Sequence, residues 1–376
     1  ILNALHRAKF ARIYCAPNWQ TDSYAAVTNE ECSVNQQFLL AARPEGMVRE
    51  SDFKRVSTPL PIIGEGECLI EVHYMGLEPA MRGWMENRAD YIAPLAIGDV
   101  MRGFGAGSVS VSNNPLYPVG TRVTGSFGWQ QFYLHRADAA PLQRIPDGIS
   151  LRAAIGVFGV TGMTAWFGLE RIGKPREGDV FVVSSAAGAT GSVAGQLAKI
   201  QGCRVVGITS STEKCQWLTA TLDFDAAVNY REPNWQQQLS KACPDGIDIY
   251  FDNAGGELLN TALGLIRDAA RVVLCGGISR YNATGPLDGP ANYFNLIFRR
   301  ARMEGFIVLD HADQFPAAID AMQPLVAAGQ LRHADTVNQG FDALPGALVA
   351  LFQGANQGKQ LVCISAPKDP DYWRDM

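Results

Sequence analysis

Residues 180–183 (VFVV) form an unbroken apolar run, and the bulk then disappears, because residues 184–192 read SSAAGATGS. A run without alternation suits a parallel strand covered on both faces. Beyond the small residues the period changes. Val193, Leu197 and Ile200 fall at i, i+4 and i+7, which predicts a helix over 191–201 with one apolar face. Residues 203–208 (CRVVGI) predict a second strand and 212–221 a helix, with further strands at 247–251 (IDIYF) and 271–275 (RVVLC). Strands alternating with helices imply an α/β fold built on a doubly wound parallel sheet.

Upstream the texture differs. Residues 64–74 (GEGECLIEVHY) partly alternate apolar and polar side chains after a lead-in rich in proline and glycine, the pattern of a half-buried strand. Residues 117–125 (YPVGTRVTG) repeat that style, so the region near 36–150 reads as β-rich. After Gly329 the texture turns again, with a helix at 344–352 and a strand at 360–365. A chain of 376 residues is also long for one core, and two domains are expected.

Composition narrows the class. With 47% hydrophobic and 18% charged residues the chain reads as globular and soluble. A formal net charge of -5 provides no general attraction to nucleic acid or anionic lipid. No apolar run approaches the roughly 18 residues of a membrane span. The eight cysteines are never closer than 12 positions, so no disulfide framework is drawn; buried, reduced thiols in a cytoplasmic protein are expected. Residues 1–21 carry His6, Arg7, Lys9 and Arg12 with no acid before Asp22, which is also the look of a weak transit peptide. The preferred reading is an extension outside the fold, with organelle targeting left open.

The small-residue stretch carries the first chemistry. It reads Ala186-x-Gly188-x-x-Gly191, a dinucleotide fingerprint with alanine at the first glycine. The motif alone is weak, but here it follows a strand and opens a helix within a βαβ unit. Gly188 lets the backbone approach a pyrophosphate, and Gly191 lets the helix pack close to the strand. Ala189 and Thr190 contribute N–H groups at the helix start. The cofactor is chosen near the end of the second strand, where an NAD site places an acid for the ribose. This chain has Thr209, Ser210, Ser211 and Thr212, then Lys214. Hydroxyls and a lysine suit a 2′-phosphate, so NADP (as NADPH) is the expected cofactor.

At this point several motifs agree in order and spacing: AAGATGSVAGQ, GCRVVGITSSTEKC, DFDAAVNY, GIDIYFDNAGG, LCGGISRYN and GKQLVCIS. Together they resemble the medium-chain dehydrogenase/reductase superfamily, and within it the zinc-independent branch of prostaglandin reductases, leukotriene B4 12-hydroxydehydrogenase and alkenal double-bond reductases. The likeness runs from about Phe38 to Ser365. It implies a Rossmann domain plus a β-rich, GroES-like catalytic domain. Zinc relatives of the superfamily use Cys/His sites. The spacing of the cysteines and of the five histidines here matches none of them, so no metal is expected.

The resemblance implies reduction of the carbon–carbon double bond of α,β-unsaturated ketones or aldehydes. A metal-free site must then stabilise the enolate oxygen with hydrogen-bond donors. Tyr281, just past a strand end, is the catalytic candidate, and the resemblance adds that it lines the nicotinamide and substrate site. By the same likeness Lys214 and Tyr230 hold the adenosine phosphate end. Cys275, Gly276, Gly277, Ile278 and Ser279, with Phe306, Ile307 and Val308, lie beside the nicotinamide and its ribose. Asn356 reaches the cofactor from the C-terminal segment, and Val100, Met101 and Ile307 border the substrate. One position departs from the family pattern. Where many relatives have D-P-Y-M-R, this chain has Glu78, Pro79, Ala80, Met81 and Arg82. A phenol is missing at Ala80, so the pocket is expected to be roomier there, with Trp84 or Tyr91 filling it.

The resulting architecture has an extension over 1–35 and a catalytic domain from 36–155 plus 329–366. A Rossmann domain covers 156–328 and a tail 367–376, with the active site in the cleft between the domains. The expected partner is a small enone or enal, and relatives suggest a homodimer. Two other readings stay open: a quinone or enoyl-thioester reductase on the same fold, and an NADPH-binding protein without turnover.

Overall fold

The structure, a computed structural model, describes residues 34–88 and 90–367. The extension therefore lies outside the described residues up to position 33, as does the tail from 368. Val34 and Asn35 are not part of any extension: Val34–Leu40 is a strand (β1) paired antiparallel with Phe53–Pro59 (β2). Asn35 is buried and its amide bonds Gln130 and the Phe132 carbonyl.

A seven-stranded sheet contains Cys68–Leu77 (β3), Gly105–Ser112 (β4), Arg122–Gly125 (β5), Phe132–His135 (β6) and Gln143–Arg144 (β7). The half-buried strand expected at 64–74 is displaced and buried. It starts at Cys68, because residues 64–67 form a turn closed by Gly64 N–H on the Glu67 carboxylate. Its pattern is buried on both faces because β3 is an interior strand, with β4 and β6 on it as well as a strand from the C-terminal region. Of the stretch 117–125, only its end becomes β5; residues 117–120 turn, with Gly120 at φ 88°.

The second sheet is six-stranded and parallel: Val180–Ser184 (β8), Arg204–Thr209 (β9), Ala226–Asn229 (β10), Ile247–Asp252 (β11), Ile266–Leu274 (β12) and Arg302–Gly305 (β13). Its order is β10-β9-β8-β11-β12-β13, so the chain starts in the middle, builds one side, then crosses to build the other. That reversal between β8 and β11 is the switch point at which open α/β sheets bind ligands, outside the strand carboxyl ends. All five residues of β8 are buried, as the unbroken apolar run requires. The following helix is Ala189–Ile200. Val193 and Leu197 are buried, but Ile200, the third position of the expected stripe, is 39% exposed at the helix end. Gly191–Ala198 are buried on every side instead, since the helix packs against both the sheet and the helix Val160–Phe167.

The chain then returns to the first sheet. Asp335–Gln339 (β14) pairs parallel with Lys359–Cys363 (β15), and β15 pairs antiparallel with β3. Helix Leu344–Phe352 lies between them. The two halves are joined through packing: Tyr74, Ala106, Leu361 and Cys363 share one apolar cluster with Phe181, Val183 and Val193. No helix among the described residues is long and apolar enough to cross a membrane.

Candidate active site

A cavity of about 570 Å³ opens where the carboxyl ends of β8 and β11 face the end of β3. The turn after β8 forms its floor. Ser185 takes the left-handed bend at φ 50°, and its carbonyl accepts the Gly188 N–H at 2.9 Å. Gly188 caps the helix Ala189–Ile200, so Gly188, Ala189, Thr190 and Gly191 all reach the cavity. A Cβ on Gly191 would stand 2.4 Å from the Ser185 carbonyl oxygen, so glycine is required for this helix to approach the strand. The missing first glycine has a counterpart across the sheet. Ala186 is fully buried, and a Cβ on Gly207 of β9 would come within 2.9 Å of its methyl. The space given up at 186 is recovered at 207.

The C-terminal segment clasps this turn. Gly358 N–H donates to the Ala187 carbonyl at 2.8 Å, and Gly358 bridges Gly188. Asn356 is buried and lines the cavity, its amide donating to the Gly358 carbonyl at 2.8 Å.

At one end of the cavity stand Ser210, Lys214 and Tyr230, together with Arg231. Ser211 Oγ accepts Lys214 N–H and caps the helix Thr212–Thr221. Lys214 Nζ donates to the Gly354 carbonyl at 2.8 Å. Burial, and then the positive charge of Arg231, hold the Lys214 ammonium below the usual lysine range. Glu213 is absent from the lining, and hydrogen bonds from its own N–H and from Ser211 hold its carboxyl low. Arg231 was not anticipated. Its guanidinium makes no ion pair among the described residues, and the signal for it was its place beside Tyr230 just beyond β10. Two cations and hydroxyls fit a phosphate monoester.

At the other end are Cys275, Gly276, Ile278, Ser279 and Tyr281, with Phe306, Ile307 and Val308 beside them. Gly277 lies outside the lining, but its N–H donates to Tyr281 Oη at 3.3 Å. Burial pushes the Tyr281 phenol up from its usual 10.0, outweighing that hydrogen bond. Burial likewise takes the Cys275 thiol up to about 12. Asp252 underlies both loops at this edge. It is 1% exposed and accepts from Ser184 Oγ, Tyr250 Oη and the N–H groups of Ala254 and Gly255. Burial raises its carboxyl despite these donors. Asn253, which follows it and lines the cavity, was also missed by sequence reasoning.

The remaining wall comes from the β-rich half: Glu78, Pro79, Ala80, Trp84, Tyr91 and Phe104. Trp84 Nε1 donates to Tyr91 Oη at 3.1 Å, so both residues expected near Ala80 are present and linked. Val100 and Met101 do not join them. Met101 is fully buried in the β-rich core and Val100 bridges Leu39 of β1, because this apolar stretch pairs with β1 rather than facing the cleft. Among the described residues, no group of three or more His, Cys, Asp or Glu side chains is gathered as a metal site would need.

Two family models match the chain. One, described as the N-terminal domain of oxidoreductase, covers residues 36–145; the other, described as zinc-binding dehydrogenase, covers 189–324. The NADPH-dependent curcumin reductase of Escherichia coli is 35% identical over 88% of this chain and 97% of its own length. The 2-alkenal reductase (NADP(+)-dependent) of Nicotiana tabacum is 36% identical over 89% of this chain and 99% of its own. Among solved structures, CurA from Vibrio vulnificus in complex with NADPH matches with a TM-score of 0.83 at 36% identity, covering 88% of this chain and all of that one.

Proposed function

Because this chain belongs to the medium-chain reductase family, on the branch of the alkenal, curcumin and prostaglandin reductases, we propose that it reduces the carbon–carbon double bond of α,β-unsaturated ketones or aldehydes with NADPH. The observation that carries the reading is one cavity joining a two-cation phosphate pocket to a half-buried, protonated phenol.

The residues fit the cofactor. The Gly188–Gly191 turn and helix start present N–H groups to a pyrophosphate, and Ser210, Lys214, Tyr230 and Arg231 suit a 2′-phosphate. When bound, NADPH would supply a hydride to the β-carbon, negative charge would gather on the substrate's carbonyl oxygen, and a proton from solvent would complete the α-carbon. Tyr281 Oη already accepts the Gly277 N–H, so its own proton is free to point at that oxygen. Its raised pKa keeps the proton in place at neutral pH, and a donor already fixed in position stabilises developing charge better than mobile water does. Asp252 and Asn253 hold the loop ends at Ser184 and Gly255, which fixes where Tyr281 stands. Trp84, Phe104 and the Tyr91 ring offer an apolar wall for the rest of the substrate. Buried free thiols at Cys68, Cys203, Cys243 and Cys363 support a reducing, cytoplasmic setting.

The test is oxidation of NADPH and of NADH with a panel of enals, enones, quinones and acyl thioesters, with the product identified. Selective turnover of enals or enones to saturated carbonyl compounds supports the reading. Turnover confined to quinones or thioesters replaces it.

A further inference from the structure

Two acids line the cavity, the exposed Glu257, which accepts from Gln236, and a buried one that the phosphate turn and the phenol leave unexplained. Glu78, at the end of β3, lines the cavity and is 7% exposed. Its Oε1 accepts from Lys359 Nζ at 2.7 Å, and Lys359 is itself 2% exposed. Glycine at position 76 makes room for that lysine, since a Cβ there would lie 3.1 Å from Lys359 Cε. Two charges taken out of water cost more than an apolar pair of similar volume. Stability alone is therefore a weak reason for the pair. The second oxygen, Oε2, has no hydrogen-bond partner among the described residues, yet it is not sealed from solvent. The access this side chain keeps is through the cavity it lines.

The position of Glu78 along the cavity follows from residues 354–359. Gly354 accepts from Lys214, Gly358 bridges Gly188 of the phosphate turn, and Lys359 pairs with Glu78. This segment thus runs from the 2′-phosphate pocket, past the pyrophosphate turn, to Glu78. The next group along a dinucleotide, beyond its pyrophosphate, is the nicotinamide ribose, which carries two hydroxyl donors. We propose that Glu78 Oε2 accepts from those hydroxyls, with Lys359 orienting the carboxylate. It would do for the second ribose what a Rossmann acid does for the adenine ribose in NAD enzymes, at the opposite end from the site where this chain lacks one. This role rests on the dinucleotide site described above.

The experiment reads binding rather than turnover, by calorimetric titration of three ligands. These are NADP+, its analogue lacking both hydroxyls on the nicotinamide ribose, and 2′,5′-ADP, which stops short of that ribose. The wild type should bind the analogue at least about tenfold more weakly than NADP+, as expected for hydrogen bonds to a charged group. The double variant Glu78→Met/Lys359→Met removes both charges and keeps the volume filled. It should bind NADP+ and the analogue equally while keeping wild-type affinity for 2′,5′-ADP. The role is overturned if the wild type does not distinguish NADP+ from the analogue. It is also overturned if the variant still does, or if the variant loses 2′,5′-ADP as much as NADP+. Failure of the wild type to bind NADP+ or 2′,5′-ADP at all would remove the dinucleotide site itself, and this role with it.

Discussion

Lys214 Nζ lies 2.8 Å from the Gly354 carbonyl oxygen, so a lysine of the parallel-sheet half is tied to the segment that leads into β15. In that arrangement the ammonium has a neutral acceptor, which a 2′-phosphate is expected to displace. Lys214→Met should weaken NADPH binding by about tenfold to a hundredfold while NADH binding stays within about twofold, the range for losing a charge-assisted hydrogen bond. Titration of both cofactors on the variant checks this, and equal losses would show that Lys214 does not select the phosphate.

The same lysine makes phosphate affinity depend on pH. Its pKa is lowered by burial and by Arg231, so it gives up its proton earlier than an ordinary lysine at 10.5. The 2′-phosphate is already fully ionised above neutrality. Affinity for 2′,5′-ADP should therefore fall as pH rises, with the onset below the ordinary lysine range. The fall should disappear in Lys214→Met, as a binding series across alkaline buffers would reveal.

Removing the phenol isolates its contribution. Tyr281→Phe should lower kcat by about a hundredfold, typical of losing one donor to a developing oxyanion. NADPH affinity should be almost unchanged, because Tyr281 accepts from Gly277 without supporting the phosphate turn. A kcat equal to wild type would remove Tyr281 as a donor to the oxyanion.

The two glycines of the turn should separate stability from binding. A methyl at 191 would meet Ser185 O at 2.4 Å, whereas one at 188 would meet it at 3.2 Å. Gly191→Ala should cost about 1–3 kcal/mol of stability by overpacking. Gly188→Ala should cost little stability but weaken NADPH, since the methyl enters a turn that lines the cavity. Denaturant unfolding and cofactor titration on both variants decide the assignment.

The parallel sheet could be read from the chain because its strands are buried on both faces: the unbroken run at β8 has one structural solution, and the change of period at Val193 marks the helix. The other sheet was blurred for the opposite reason. β3 is interior, so the alternation that suggested a half-buried strand at 64–74 belonged partly to a turn. Within the site, the backbone-driven parts were legible, since Gly188, Gly191 and Ser210 follow from the geometry of the turn and strand tip. Arg231 and Glu78 were not, because each is brought to the cavity by long-range pairing, β10 on β9 and β15 on β3. Met101 misled in the familiar way of an apolar residue near a pocket, and its neighbour strand claims it.

Ala80 gives this wall of the cavity its own shape. It lines the cavity beside Trp84 and Tyr91, where a phenol would otherwise stand. Ala80→Tyr should raise KM for bulky diaryl enones by about tenfold, roughly the loss of one well-fitted apolar contact, and leave small enals nearly unaffected. Equal shifts for both substrate sizes would show that this wall does not set the pocket's width.

The most direct measurement is product analysis after NADPH oxidation with a simple enone. The saturated ketone should form, at a rate that NADH does not match. An allylic alcohol as product, or no oxidation of NADPH with any enal or enone, would contradict it.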